Sequence, residues 1–508
     1  MRSLFQHVLP SILILALIAS QVEAREWTII GPRALGMGGA HVAFVKDSTA
    51  SYWNPAAYGF FKTNEKGYYG KTGWSSVSYA GVDAQSHEDF AEMLDNVLDY
   101  DFEAFEKDQI LGDNLTEFFQ LVDDLKSFNE NNRVGIVTIH AGQAGQIGNF
   151  GMGSYVFGEL SGCGRADLVN IVPESNDITV SAFLTQLLVI SNSTDGPSVP
   201  AGDYYFDSST KNNLTKTIAD MPVWNAATAA SYVQVVDYIL DQAQQNGEIV
   251  ASDITNMVSD VAQLAVNAQN GGSFANNETE LLFKGIIITE FPLTYGLSIT
   301  NDFAIGGNIK LMNARVYNAS VSIFEDELGE VVADALENSL DYYEESQNIG
   351  LDFGLLYRFG DEFRVGVVGR NLNSPKFVTK KLPLWNHTTI KEEPQVRAGI
   401  AYSPFRSLSV ALDLDLTKNK ITVYNDYVSQ NIGGGVEFNL FKGLNLRGGA
   451  FKNLEEKDIG LVYTAGIGMN LRSLSFDIGA SIGSGNNKIE GTEYPEEAKV
   501  ELALSVLF

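Results

Sequence analysis

The chain has 508 residues, with Lys+Arg 34 against Asp+Glu 63 and a net charge of −29. A chain this acidic repels phosphate backbones, which excludes nucleic acid as a partner. Its one cysteine, Cys163, rules out an internal disulfide framework or a cysteine-cluster metal site, and its histidines lack the i, i+4 pairing of zinc hydrolases.

Residues 1–24 place Arg2 ahead of an apolar stretch from Leu9 to Ile18 and end on Val22-Glu23-Ala24. That order predicts a cleaved secretory signal, and the stretch is shorter than the roughly 20 residues of a membrane anchor. A secreted chain without disulfides fits a bacterial envelope. Residues 25–66 form an N-terminal segment rich in glycine and turn residues, and residues 67–508 read as a series of β-hairpins with helical insertions.

Strands with weaker patterns are expected at 68–80, 133–141, 147–158 and 283–299. Helical spacing of apolar residues marks insertions near 87–128 (Phe90, Met93, Leu94, Val97), 214–268 (Val233, Val236, Leu240, then Ile254, Met257, Val258, Val261) and 325–345. From about residue 283 onward, segments of some ten residues alternate apolar and polar. In Ser473–Ile482, for example, Leu474, Phe476, Ile478, Ala480 and Ile482 share one face. A period of two sets one face of a strand on an apolar medium and the other on a polar one.

A soluble sandwich also alternates, but two features separate the cases. The segments are long enough to cross a bilayer at a tilt, where soluble strands average roughly 5–6 residues. Read back from the C-terminus, the connections also alternate between tight turns and long links. Arg472-Ser473, Phe441-Lys442 and Gly360–Glu362 are tight, whereas 484–497, 417–431, 372–394 and 317–348 are long. Sandwiches do not sort loops by parity, and outer-membrane barrels do. The expectation is an all-β membrane protein, an antiparallel outer-membrane β-barrel of about fourteen strands with helical outside loops. The last strand, Lys499–Phe508, is apolar on one face through Val506 to Phe508, a pattern that resembles the C-terminal assembly signal of such barrels.

Inward-facing Arg358, Arg364, Arg370, Arg397, Arg447, Asp352, Asp413, Asp415, Glu437 and Asp477 would occupy the lumen. They fit either ion pairs that hold wall and contents together or a polar pore lining. Gly479-Ala-Ser-Ile-Gly483 matches a nucleophile-elbow pattern, but it lies inside an alternating strand, and no Ser/His pair accompanies it. The chain does not read as an enzyme, and nothing in it calls for a cofactor or metal.

The N-terminal segment carries a family resemblance. Gly31-Pro-Arg-Ala-Leu-Gly-Met-Gly-Gly-Ala40 is followed by Asp47-Ser-Thr-Ala-Ser-Tyr-Trp-Asn-Pro-Ala56. Residues 31–57 resemble the start of the FadL-type outer-membrane transporter superfamily, in its TraF-like and PorV-like branch. There an Arg-Ala-x-Gly-x-Gly-Gly-Ala run precedes Asn-Pro-Ala, and the segment plugs the barrel. The resemblance assigns the plug motif to Arg33, Gly36, Gly38, Gly39, Asn54, Pro55 and Ala56. Many members carry glycine where this chain has Ala57.

Gly36, Gly38 and Gly39 permit close backbone approach and left-handed turns, and Pro55 holds Asn54 extended. Transport members of the superfamily move hydrophobic compounds, with long-chain fatty acids as the type substrate, and release them sideways through a kinked strand. Gly148, Gly151 and Gly153 in the third strand, with Pro292 on its neighbour, would form that lateral gate, since glycine and proline interrupt strands. The same glycines would equally fit against the plug.

Two functions follow. One is plug-gated uptake of a hydrophobic small molecule. The other is a non-transport accessory role in secretion or conjugal transfer, with a protein partner on the outside helical loops. Membrane lipid is a partner in both.

Overall fold

The computed structural model describes residues 26–61, 74–87, 89–98, 115–129, 133–171, 199, 201–245, 254–273, 276–323, 343–360, 362–378, 389–420, 428–455, 460–471, 473–489 and 492–507. The expected signal at 1–24 and Phe508 of the assembly signal lie outside these residues, as does nearly all of the 325–345 insertion, whose last two residues begin a strand.

Fourteen strands close into one antiparallel barrel. The first six are long: β1 (Trp74–His87), β2 (Val134–Ile147), β3 (Phe150–Arg165), β4 (Glu280–Ser298), β5 (Phe303–Ser322) and β6 (Glu344–Phe359). β7 (Phe363–Arg370) is followed by a small hairpin of β8 (Lys376–Val378) and β9 (Thr389–Lys391) outside the barrel ladder. The wall continues through β10 (Gln395–Phe405), β11 (Leu408–Asp415), β14 (Asn431–Leu440), β15 (Leu444–Asn453), β16 (Val462–Leu471), β17 (Leu474–Gly483) and β20 (Glu497–Leu507). Two further hairpins, β12 (Asn419–Lys420) with β13 (Val428–Ser429) and β18 (Asn486–Ile489) with β19 (Thr492–Pro495), occupy long links. β20 pairs with both β17 and β1, closing the cylinder, and Val506 sits opposite Leu474 on one side and Ser76 on the other.

The expected loop parity holds, and the corrections concern boundaries. The first strand is described over 74–87, and residues 68–73 of the expected 68–80 lie outside the described residues; β2 runs on to Ile147 at the short-turn end, while β3 and β4 reach further toward the long-loop end than their patterns indicated. Gly148 belongs to the β2–β3 turn, not to the third strand. Its φ of 56 is the left-handed conformation a two-residue hairpin requires.

Outward side chains form an apolar belt. Ile309, Leu311, Leu293 and Tyr295 are each more than half exposed, while their neighbours in sequence are buried. A barrel that turns this belt outward faces lipid. β4 and β5 have 19 and 20 residues, roughly 60 Å of strand against a hydrocarbon core of about 30 Å. Their surplus projects at the long-loop end and supports a helical cap.

After two short helices in the N-terminal segment, α1 (Pro32–Leu35) and α2 (Ala50–Trp53), that cap comprises α3 (Phe90–Leu98), α4 (Leu115–Ser127), α5 (Ser208–Ala219), α6 (Ala226–Gln245) and α7 (Ile254–Gln269). The apolar stripes read from the sequence meet in one core. Val97, Leu125, Val236, Leu240, Val258 and Val261 pack together and onto Leu281 and Ile323 at the ends of β4 and β5. Lys126 bonds Asp260 at 2.7 Å between α4 and α7, and the buried Asp237 carboxylate accepts the backbone N–H groups of Tyr204 and Phe206.

Candidate functional site

Residues 26–61 run through the barrel and are almost wholly buried. They contain α1 (Pro32–Leu35), α2 (Ala50–Trp53) and a 3₁₀ turn at Pro55–Phe60. The path begins near the long-loop end, where Asn431 at the start of β14 donates to Glu26 at 3.1 Å, and finishes at the short-turn end, where the Arg358 guanidinium lies 3.8 Å over the Phe60 ring. Aromatic rings form its internal core. Trp27, Tyr52 and Trp53 stack edge-on or tilted, His41 packs on Trp53, and the Trp53 indole N–H bonds the Ile30 carbonyl.

The segment has a backbone-to-backbone fit with the wall because strand after strand offers glycine toward the lumen. A Cβ on Gly435 would lie 2.6 Å from Met37 Cα, one on Gly449 2.7 Å from the Gly38 nitrogen, and one on Gly479 2.8 Å from the Pro32 carbonyl oxygen. Gly306 meets Pro55, Gly354 and Gly366 meet Asn54, and Gly399 meets Val42. Gly38 and Gly39 take φ of 66 and 76, as the left-handed turns require. Gly36 does not. Its φ of −61 is ordinary helix, and glycine is needed there because a Cβ would come within 3.0 Å of the Arg447 side chain and 3.1 Å of Gly466.

Each polar residue of the sequence motif has a definite partner. Arg33 grips Glu437 as a fork, Nε to Oε2 at 2.8 Å and Nη2 to Oε1 at 2.7 Å. Arg447 shares that carboxylate at 2.8 Å and reaches Asp477 at 2.6 Å. Asn54 is extended (φ −166, ψ 103), as the following proline demands. Its Oδ1 accepts from Ala56 N at 3.1 Å, while its Nδ2 donates to Val42 O at 3.2 Å and to Leu355 O in β6 at 3.0 Å. Pro55, Ala56 and Ala57 continue as the 3₁₀ turn, so Ala57 needs no left-handed backbone.

The inward charges expected in the lumen tie strand to strand and wall to segment. Asp413 accepts the backbone N–H groups of His41 and Val42 at 2.7 and 2.8 Å, Arg397 bonds Asp415, and Asn308 donates to Ser51 O at 2.5 Å. Above them Glu290, Lys310, Asp352 and Arg370 form a buried network, with the Arg370 guanidinium 3.9 Å over Tyr52. Within the segment, burial and the nearby Arg33 hold the His41 imidazole well below its usual pKa. Burial, then Arg364 and Arg33, lower Lys46 to about 7.

The expected gate residues separate. Gly151 faces the Tyr58 ring, so it serves the fit to the segment. Gly153 and Pro292 come together. The β3–β4 register runs from Phe150↔Tyr295 to Met152↔Leu293 and resumes at Tyr155↔Glu290, skipping Gly153 and Ser154 opposite Pro292 and Phe291. Proline has no N–H to give the ladder, and the lipid-facing neighbours Met152 and Leu293 are exposed.

One feature had no sequence signal strong enough to place it. At the outer part of β2–β5, inward side chains turn apolar: Ile136, Ile286, Ile288, Met312 and Val316. The β8–β9 hairpin, in a stretch expected to be a plain loop, folds against them through Phe377 and Ile390. Ser481, in the apparent nucleophile pattern, lies mid-strand opposite Thr464 and Lys499.

These features define a closed membrane barrel of fourteen strands whose lumen holds its own N-terminal segment. Residues 51–415 match the family described as F plasmid transfer operon, TraF, protein, and the chain belongs to that family. This is the branch that residues 31–57 resemble. Among solved structures, the toluene transporter TbuX of Ralstonia pickettii is similar at 12% identity and TM-score 0.43, covering 94% of this chain and 98% of that one. The toluene transporter TodX of Pseudomonas putida is similar at 11% identity and TM-score 0.40, with 95% and 98% covered. A Pseudomonas aeruginosa FadL homologue shares 10% identity at TM-score 0.40, over 95% and 98%. No curated protein sequence matches the chain.

Proposed function

We propose that the protein is an outer-membrane barrel that takes up hydrophobic small molecules, long-chain fatty-acid-like in kind, with residues 26–61 as its plug. Barrel, apolar belt and loop parity support the outer membrane as its location, with long loops outside and short turns in the periplasm. The observation that carries the uptake reading is the interrupted β3–β4 ladder. The middle of the lumen is filled by a segment bonded to strands on every side, so a straight route is blocked. A molecule entering beneath the helical cap reaches the wall at Gly153 and Pro292, which lies beside Tyr58 toward the short-turn end, when the plug shifts, and leaves there sideways into the bilayer.

In this reading Arg33, Asn54 and the luminal glycines hold the plug, and Val506 with Phe508 carries the barrel assembly signal. The test is uptake of labelled long-chain fatty acid by cells that lack their own transporter and express this chain with verified surface exposure. Uptake that falls when Asn54 and Pro55 are replaced is the expected result. Absence of uptake from a correctly assembled barrel sinks the fatty-acid version.

A second reading is favoured by a different observation. The family description names a transfer-operon protein, and the cap of helices α3–α7 offers a large folded surface at the long-loop end. There the barrel is an accessory of conjugal transfer or secretion, and a protein partner docks on the cap.

A further inference from the structure

Charge inside the barrel is out of balance where residues 26–61 begin. On β1 and β20, Asp83 faces Lys499 and Gln85 faces Glu497 in register, and all four side chains are buried. Lys499 pairs with Asp83 Oδ2 at 2.6 Å and with Glu497 Oε1 at 3.2 Å, and Gln85 Nε2 donates to the same Asp83 oxygen at 3.0 Å. Glu26 brings a third carboxylate, held by Asn431 and within electrostatic range of Lys499, Asp83 and His87.

Counting histidine as neutral, Asp83, Glu497 and Glu26 against Lys499 leave a surplus of two negative charges, and buried charges need partners. The shortfall shows in the hydrogen bonds. Asp83 is only 4% exposed, yet its Oδ1 has no partner among the described residues. The next carboxylate along β20 is served differently. Glu501 reaches His140 at 3.0 Å over Gly81, where a Cβ would lie 2.5 Å from His140 Nε2. The wall supplies a partner there, and at Asp83 it leaves an acceptor open.

A metal ion does not fit the gap, since no group of three His, Cys, Asp or Glu side chains among the described residues could hold one. The chain itself supplies a cation of the right kind. Cleavage expected after Ala24 hydrolyses the Ala24–Arg25 bond, leaving a carboxylate on the released signal and an ammonium on Arg25. Arg25 lies outside the described residues, but consecutive Cα atoms are about 3.8 Å apart, which keeps its amine within reach of the cluster that holds Glu26. We propose that Asp83 and Glu497 form the receptor for the chain's own processed N-terminus, with the Arg25 α-ammonium seated on them and its guanidinium supplying the second positive charge. The first end of the internal segment is then fixed by a charge that exists only after processing, whatever the barrel carries.

The experiment uses mature protein purified from outer membranes and reconstituted in lipid nanodiscs. N-terminal sequencing is expected to give Arg25 as the first residue. Acetylation of its α-amine by an N-hydroxysuccinimide ester near neutral pH is then followed by peptide-mapping mass spectrometry. Carboxylates around an ammonium keep it protonated and so unreactive, and labelling is expected to run about tenfold or more slower in the folded barrel than in the denatured chain. Asp83→Asn with Glu497→Gln is expected to remove most of that protection. Glu345→Gln, at an exposed acid on β6 paired with Arg315, is expected to leave it intact. Two glycines inserted after Ala24 keep the wall unchanged, move the amine out of reach, and are expected to restore fast labelling.

Retention of the barrel's heat-modifiable gel shift shows that each variant is folded, and the insertion carries the test where the double variant does not assemble. A first residue other than Arg25 overturns the proposal, as does labelling of the folded wild type at the denatured rate. Protection that survives in the folded double variant, or in the insertion, also overturns it, because simple burial then accounts for the slow reaction.

Discussion

Gly435→Ala tests the seating of residues 26–61 with an effect whose sign is diagnostic. Alanine ordinarily improves a strand position held by glycine, so a wall that faced an open pore would gain or stay neutral. Here the added methyl would lie 2.6, 2.7 and 2.8 Å from Met37 Cα, carbonyl carbon and carbonyl oxygen, all of them backbone. Met37 cannot retreat, because the next strand's Gly449 already lies against the same stretch, its own Cβ position 2.7 Å from the Gly38 nitrogen. Overpacking costs about 1–3 kcal/mol where side chains can adjust. With backbone on both sides the upper value applies, about 3 kcal/mol, a shift of about a hundredfold in the docked-to-undocked ratio.

Gly448→Ala is the matched control, since nothing lies within 4 Å of the position its Cβ would take. A substitution there is expected to stay within about 0.5 kcal/mol. The assay is hydrogen–deuterium exchange of backbone amides in residues 33–58, measured in folded barrels. Exchange accelerated by Gly435→Ala and unchanged by Gly448→Ala is expected. Equal exchange in both variants and wild type refutes the seating argument.

Two further outcomes are expected. Lys46 has an ordinary pKa of 10.5 and about 7 when docked, so the released segment binds more protons between those values. Docking therefore strengthens as pH rises from about 7 to 10.5, and that contribution is absent below 7. His41, also lowered by burial, adds a loss of the same direction as pH falls below 6.5. Protease sensitivity of residues 26–61 should fall with rising pH, and Lys46→Met should flatten the upper limb. Leu311→Arg on the lipid face, at a position 61% exposed, should destabilise the barrel by about 2–4 kcal/mol if it lies near the bilayer midplane. Its denaturant midpoint in lipid vesicles measures this.

The barrel was legible because its physics is local. Alternation such as Leu474, Phe476, Ile478 reports a strand with two different environments, and loop parity reports how such strands connect. Arg33, Asn54 and Pro55 were legible from their motif and from the constraint proline places on its predecessor. Partners were not legible, because the Arg33–Glu437 fork joins residues 404 apart in sequence and depends on the register of a closed wall.

The role of Gly151 was likewise ambiguous. A strand glycine that seats Tyr58 looks the same in sequence as one that kinks a gate, and only the fold decides. The hairpin bearing Phe377 and Ile390 was read as loop because two short strands with one buried side chain each carry no periodicity.

The central claim is sideways release at the interrupted ladder, and stapling that interruption tests it most directly. Ser154 and Phe291 are lipid-facing and opposite each other in register. Ser154→Cys with Phe291→Cys, in a Cys163→Ser background, places two thiols across the skipped rungs. The measurement is uptake of labelled long-chain fatty acid by cells expressing the stapled barrel, before and after reduction, with staple formation followed by mass. Loss of most uptake in the oxidised form and its return on reduction is the predicted result. Full uptake through a quantitatively stapled wall contradicts the lateral route.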